Sequence, residues 1–410
     1  MSTLSRAQNT LASVRDIVDQ RVDDAEIPDW CAERGWSEFL IGLGDRELER
    51  CEAQGLPEVA SSLRDMPESL RELALDVRDL CALPMLCARP LPLLEAEFRG
   101  VSSRKREQLT TLLGVLAPLV ENARRIVDVG AGSGHFTRLS AQYFKRETLG
   151  LEQNPDHVAR AISRARASSS EGQPAAAEFV ICDAIREPLA LRSDDLAIGL
   201  HACGELGDTL VRAVADGHAE LALVSCCLQK ISAPERASLS RAAGGFALRK
   251  ETLGLSNLTS RAVGVEASME NTMRAREARY GLRLLLRGRG LEIPPGAEMR
   301  GINRRRAGGG LEELAKLALA RLRRRAASQP EIQQCERDAA FQFGRMRRLS
   351  LPRNLLGRAI ELSVVLDRAA RLEESGHHVL VATLFEHAVT PRNIALFASR
   401  QAPRLPRVAR

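Results

Sequence analysis

Three glycines spaced G-x-G-x-G follow an apolar run in VDVGAGSGHF (127–136): Gly130, Gly132 and Gly134, directly after Ile126 to Val129. Glycine has no Cβ and tolerates positive φ, so a turn built this way lets the backbone approach a ligand closely. The stretch Phe136 to Phe144 suits a helix, whose N-terminal N–H groups would then point at the same ligand. Two further apolar runs end in acids: TLGLE ends at Glu152, and AEFVICD ends at Asp183. Open parallel sheets bind ligands at the carboxyl ends of their strands. A carboxylate at the end of the second strand can accept from both hydroxyls of a ribose. One at the end of the third can accept from an exocyclic amine of adenine. The expected ligand is therefore a nucleoside. A dinucleotide fits poorly, because its fingerprint is G-x-G-x-x-G, and because Asp128 stands two residues before the first glycine. That carboxylate would repel a pyrophosphate and suits a positively charged group.

A second constellation follows on the next two apolar runs. The fourth ends at His201-Ala202-Cys203-Gly204 and the fifth at Ser225-Cys226-Cys227. If the two strands are neighbours, their ends face one reactant together. His201 is a candidate general base or orienting group, and Cys203 and Cys226 are candidate catalytic thiols. Small, polarisable packing residues would look the same in sequence. Lys230 could contact a phosphate or an acidic side chain. An imidazole with three thiolates suits zinc. Adjacent residues of a strand point to opposite faces, however, so Cys226 and Cys227 are not expected to ligate one ion, and no metal is expected.

Taken together, the glycine turn and the two strand-end acids resemble the class I S-adenosylmethionine (SAM) dependent methyltransferases. The resemblance implies SAM as cofactor, with Asp128 toward its ammonium, the glycines along its methionine part, Glu152 at the ribose and Asp183 at the adenine. DLAIGLHACGELGD (195–208) and LALVSCCLQKI (221–231) resemble the fourth- and fifth-strand motifs of one group. It includes the rRNA-adenine-dimethylase-domain-containing proteins and tRNA 2′-O-methyltransferase-like relatives. VSSRKREQL (101–109) resembles that group's basic segment, with Glu107 where a histidine is usual, and TPRNIALFASR (390–400) resembles its C-terminal motif. The resemblance spans roughly 101–265 and 353–400. LHACG stands where amine methylation of bases and glutamine would place N/D-P-P-Y, which speaks against base N-methylation.

Strand and helix signals alternate to about residue 243, which predicts an α/β, Rossmann-like parallel sheet. The expected organisation has five parts. An acidic helical unit (1–100) precedes a SAM-binding core (101–267). A basic helical insertion (268–352) follows the fifth strand. The last helix and closing β-hairpin of the core come next (353–400), and then a tail (401–410). Within the closing part, a helix is expected over 354–375 and strands over 378–385 and 394–398. Trp30 and Trp36 are expected in the core of the first unit.

The 410 residues suffice for two or three cores. No uninterrupted apolar run of 18 residues occurs, so no membrane span is expected. MSTLSRAQNT lacks the pattern of a secretory signal. Nine cysteines without a disulfide-framework spacing fit a reducing, cytoplasmic compartment. Charge is uneven: residues 1–100 carry 11 Arg and 20 Asp+Glu, whereas 271–350 carry 19 basic and 8 acidic residues. A basic stripe is the footprint of nucleic-acid binding. At 3% aromatics, platforms for stacking single-stranded bases are scarce, and charged helix faces alone would explain much of the arginine. The expected acceptor is RNA (tRNA or rRNA) held by 271–350. A protein acceptor is the alternative, as is a catalytically silent SAM-fold protein that binds RNA or a partner.

Overall fold

The computed structural model describes residues 2–89, 91, 98, 101–168, 177–257, 266–294, 296–387, 389–390 and 392–409. The end of the mixed segment after the fifth strand (258–265) and the side chain of Arg304 lie outside the described residues. The chain divides into two compact units, one of Met1–Val14, Asp79–Ser260 and Leu356–Arg410, the other of Arg15–Arg78 and Arg261–Leu355.

The first unit is built on a seven-stranded sheet: β1 (Arg125–Val129), β2 (Glu147–Glu152), β3 (Ala177–Ile181), β4 (Asp195–Leu200), β5 (Glu220–Val224), β6 (His378–Thr383) and β7 (Ile394–Ser399). Their spatial order is β3-β2-β1-β4-β5-β7-β6. The first five run parallel, and β7 inserts antiparallel between β5 and β6. This is the expected Rossmann-like sheet, closed by the expected hairpin. Strands covered on both faces read as apolar runs, and β4, β5 and β7 are buried along nearly their whole length. The edge strand β3 is more open, with Val180 and Ile181 exposed.

Helices Ser103–Val120, His135–Phe144, Pro155–Ser168, Glu205–Gly217 and Gly357–Glu374 supply the covering layers. Leu109, Leu112, Leu116, Phe136 and Leu139 join Ile126, Ile198, Val224 and Phe397 in one core. The expected 354–375 helix is divided: Leu351–Leu355 is a separate short helix, and the long one begins at Gly357.

The second unit is helical. Its longest helices are Glu266–Gly288, Gly310–Arg321 and Gln329–Leu349. Leu282, Leu286, Leu311, Leu314 and Ile332 form its core. Gln329–Leu349 starts at a capping box, Ser328 with Glu331. Trp30 and Trp36 are buried edge to face, their rings 6.3 Å apart. Segment 15–78 is tied to the arginine-rich helix by charge: Glu52 pairs with Arg347 (2.5 Å) and Asp45 with Arg348 (2.7 Å). Among the described residues no helix is long and apolar enough to cross a membrane.

Candidate active site

All three motif glycines have positive φ, +80° at Gly130, +57° at Gly132 and +74° at Gly134. Their surroundings differ. A Cβ on Gly134 would strike the Phe179 ring and Ala161 at 2.6–2.7 Å, so this glycine is required by packing. A Cβ on Gly132 would meet nothing within 4 Å. The turn is pinned to β2, because Gly130 and Ala131 N–H donate to the Leu151 carbonyl at 2.8 and 3.0 Å.

Glu152, at the end of β2, joins this turn directly. Its Oε2 accepts from Gly132 N–H at 2.9 Å and its Oε1 from Asn154 N–H at 2.9 Å. Asp128 lies inside β1 and is only 3% exposed. Its Oδ2 accepts from the Thr137 hydroxyl at 2.6 Å. Burial pushes its pKa up to about 6, opposed by the Thr137 hydrogen bond and the charge of Lys105, and reinforced by the nearby Glu152. Asp183 follows β3 on an open turn. Its Oδ1 accepts from Ile185 N–H at 3.2 Å, and Arg186 lies 3.6 Å away. The glycine turn, Asp128 and Glu152 therefore meet at the ends of β1 and β2, and Asp183 stands at the adjacent strand end beyond them.

His201, Cys203, Cys226 and Cys227 meet beyond the ends of β4 and β5, which pair in parallel. His201 adopts φ +69°, a left-handed conformation that a non-glycine residue rarely holds. It is held by its N–H to the Val224 carbonyl (2.8 Å) and by Nε2 against Gln108 Oε1 (3.1 Å). A glutamine oxygen can only accept, so Nε2 carries the proton and Nδ1 is the acceptor. Burial lowers the His201 pKa to about 4, helped by Lys105, Arg392 and Arg104. The ring is neutral near pH 7 and is a weak base.

The His201 carbonyl accepts from the thiols of Cys203 (3.1 Å) and Cys226 (3.4 Å). The three sulfurs of Cys203, Cys226 and Cys227 lie within 4.8 Å of one another. Alternation along a strand does not separate them, because β5 ends at Val224 and the chain has left the strand before Cys226. Cys203 ionises first. A hydrogen bond from Cys226 pulls its pKa down to about 6 against burial, with help from Cys227 and Lys230, while Cys226 as donor is pushed up.

A buried ionic network that sequence reasoning missed fixes these two turns. Arg368 is fully buried. Its Nε donates to Asp208 Oδ1 (2.8 Å), Nη1 to the Ser225 hydroxyl and Nη2 to the Gly204 carbonyl (2.8 Å). Asp208 also receives Arg236, at 2.9 and 3.0 Å. Arg236 reaches on to Asp367 at 2.8 Å. Two guanidinium groups and two carboxylates cancel in charge, which is what lets them sit in the interior. One arginine thereby grips the turn after β4 and the turn after β5 together. The helices of Asp208, Asp367 and Arg368 also carry ordinary surface charges, and Arg236 lies outside any helix, so spacing did not single these residues out. Gln108 was hidden in the same way, one residue after Glu107 in the basic segment.

Residues 104–234 match the family model of a methyltransferase domain. Similar solved structures include the PH0226 protein of Pyrococcus horikoshii OT3, at 18% identity and TM-score 0.25 over 32% of this chain and 62% of that one. The sugar N-methyltransferase KedS8 of Streptoalloteichus sp. is 18% identical at TM-score 0.24, over 34% of this chain and 55% of that one. The magnesium protoporphyrin IX methyltransferase of Synechocystis, solved with bound SAM, is 16% identical at TM-score 0.24, over 32% of this chain and 64% of that one. The chain thus spans less than two thirds of the length of each. It carries a methyltransferase domain on a class I sheet, the class whose methyl donor is SAM.

Proposed function

We propose that this chain transfers a methyl group from SAM to an RNA acceptor, tRNA or rRNA. The acceptor's lone pair attacks the methyl carbon in line as the C–S bond breaks, and the sulfonium leaves as the neutral thioether of S-adenosylhomocysteine. The work of the protein is to hold donor and acceptor about 3 Å apart and aligned. Gly130, Gly132 and Gly134 admit the methionine part of SAM. Asp128, ionised, holds its ammonium. Glu152 accepts from the ribose and Asp183 from the adenine amine. The contact that carries this reading is Glu152 to Gly132 N–H, 2.9 Å, which brings the ribose acid and the glycine turn into one site.

His201 orients the acceptor through its unprotonated Nδ1, and Cys203 and Cys226 line the acceptor side. A pKa of about 4 makes His201 a poor general base at neutral pH. Acceptors that carry no proton to lose in the step, or that lose it to solvent, suit this arrangement.

RNA is favoured by the second unit considered alone. Arg305, Arg306, Arg321, Arg323, Arg324 and Arg325 are exposed. The turn containing Gly301 lies against Arg321, within 2.5 Å of where a Gly301 Cβ would stand, so the two arginine clusters adjoin. Part of the basic excess is paired internally, as in Arg306–Glu313 (2.9 Å), Arg279–Glu298 (3.2 Å), Arg289–Glu331 (2.7 Å) and Arg347–Glu52 (2.5 Å).

Replacing Arg305, Arg323 and Arg324 together with glutamine tests this. Each phosphate contact on a single strand adds about 0.7 to the slope of log K against log salt. Filter binding to tRNA at several salt concentrations should therefore show weaker retention and a slope flattened by roughly 2, with SAM binding intact. An unchanged slope would remove the arginine patch from the RNA site.

A further inference from the structure

We propose that Cys203, Cys226 and Cys227 together hold a zinc ion beyond the ends of β4 and β5. This goes past the methyl-transfer reading, which needs no metal. The three sulfurs already surround one point, all within 4.8 Å of one another. In a tetrahedral site with Zn–S bonds of about 2.3 Å, sulfurs stand about 3.8 Å apart. Closing the cluster onto an ion therefore takes at most about 1 Å of side-chain movement. Thiolates are soft donors and select zinc over magnesium or calcium.

The scaffold is built to hold these thiols at fixed separation. Gly204, next to Cys203, sits so close to the turn after Cys227 that a Cβ there would fall 2.1 Å from the Lys230 carbonyl. Glu205 N–H donates to that same carbonyl at 2.9 Å, and Lys230 N–H donates to the Cys227 carbonyl at 3.0 Å. Arg368 donates to both the Gly204 carbonyl and the Ser225 hydroxyl. The two cysteine-bearing turns are thus braced to each other through Lys230 and through Arg368. All three cysteines are partly exposed, so an ion has a path from solvent.

Charge is also balanced. Three thiolates and Zn²⁺ leave a net charge of −1. Arg392 Nη1 stands 3.9 Å from Cys227 Sγ and supplies a compensating cation. Zinc binds the thiolate form, so uptake releases to solvent whatever protons the three thiols still carry. No oxidant or reductant is involved. A disulfide would use two of the thiols and leave the third without a role, whereas a metal uses all three. Three protein ligands leave a fourth position for water or an acceptor atom, the pattern of catalytic rather than closed structural zinc.

The test uses the full chain purified in reductant without chelator. Elemental analysis should find about one zinc per chain. Cobalt(II) replacing the zinc should give thiolate-to-cobalt charge-transfer absorption in the near ultraviolet. Cys203→Ala, Cys226→Ala and Cys227→Ala should each lower metal retention at least about tenfold. Cys87→Ala, at an exposed cysteine outside the cluster, should leave it unchanged. Should the cluster variants misfold, alkylation mapped on the native chain decides instead, since zinc should protect Cys203, Cys226 and Cys227 and no others. A native chain that takes up neither zinc nor cobalt overturns the proposal. So does a cobalt band that survives all three substitutions, or alkylation indifferent to zinc.

Discussion

Glu152→Ala is the sharpest single perturbation of the cofactor site. The Glu152 side chain is 12% exposed, and its two oxygens accept from Gly132 and Asn154 N–H, both at 2.9 Å. With SAM bound, the carboxylate would also take the ribose hydroxyls. A hydrogen bond to a charged group contributes about 1.5–3 kcal/mol. Losing one therefore lowers affinity roughly 10- to 150-fold, at about 1.4 kcal/mol per decade. The substitution also frees the glycine turn from β2 at one point, which acts in the same direction. At least about tenfold weaker SAM binding is expected, measured by titration calorimetry on the full chain. Glu152→Gln keeps one acceptor oxygen without the charge and should fall between. Thermal melting should show that the fold survives. Unchanged affinity in Glu152→Ala would sink the assignment of the ribose acid, and with it the placement of SAM on β1 and β2.

Further expectations follow from the same geometry. Gly134→Ala forces a methyl group into Phe179 and Ala161 at 2.6–2.7 Å and should destabilise the fold, read as a lowered Tm. Gly132→Ala has open space and should keep the fold, at about 1–2 kcal/mol for its left-handed backbone, while blocking SAM binding. Asp128 has a raised pKa, so the folded chain holds its proton more tightly than the unfolded chain. The stability this group contributes is present in acid and is lost as pH rises through about 6. SAM, which needs the carboxylate, should bind more weakly as pH falls through the same value. Asp128→Asn should therefore raise the Tm of the SAM-free protein at pH 7 while weakening SAM; a lowered Tm together with unchanged affinity would contradict both halves. Arg368→Met breaks a buried ion network from one side and should cost about 3–5 kcal/mol, read by denaturant unfolding.

Much of the sheet was legible because parallel strands buried on both faces must be apolar, and because β1, β2, β4 and β5 each carry a chemically distinctive residue at or just beyond the C-terminal end: Gly130, Glu152, His201 and Cys226. The closing hairpin was legible because HVLVAT and IALFAS lie either side of a turn. The site divided differently. Glycines and acids at strand ends carry a local pattern, so Gly132 and Glu152 could be paired in advance. Arg368 and Asp208 could not, because they are 160 positions apart and their chemistry depends on burial that no period reveals. Glu52 and Arg347 are likewise 295 positions apart. The expected separation of Cys226 from Cys227 does not hold, because alternation applies within a strand and β5 stops two residues before Cys226. His201 read by residue type as either a general base or an orienting group. Burial, together with the charges of Lys105, Arg392 and Arg104, keeps the ring neutral near pH 7.

The most direct measurement is methyl transfer itself. SAM carrying a radiolabelled methyl group would be incubated with the full chain and size-fractionated cellular extract, and the products split by nuclease and by protease. Label that nuclease releases and protease leaves in place, and that vanishes with Glu152→Ala, is the predicted result. Label confined to the protease-sensitive fraction would contradict the RNA acceptor, and no transferred label in any fraction would contradict the methyltransferase reading.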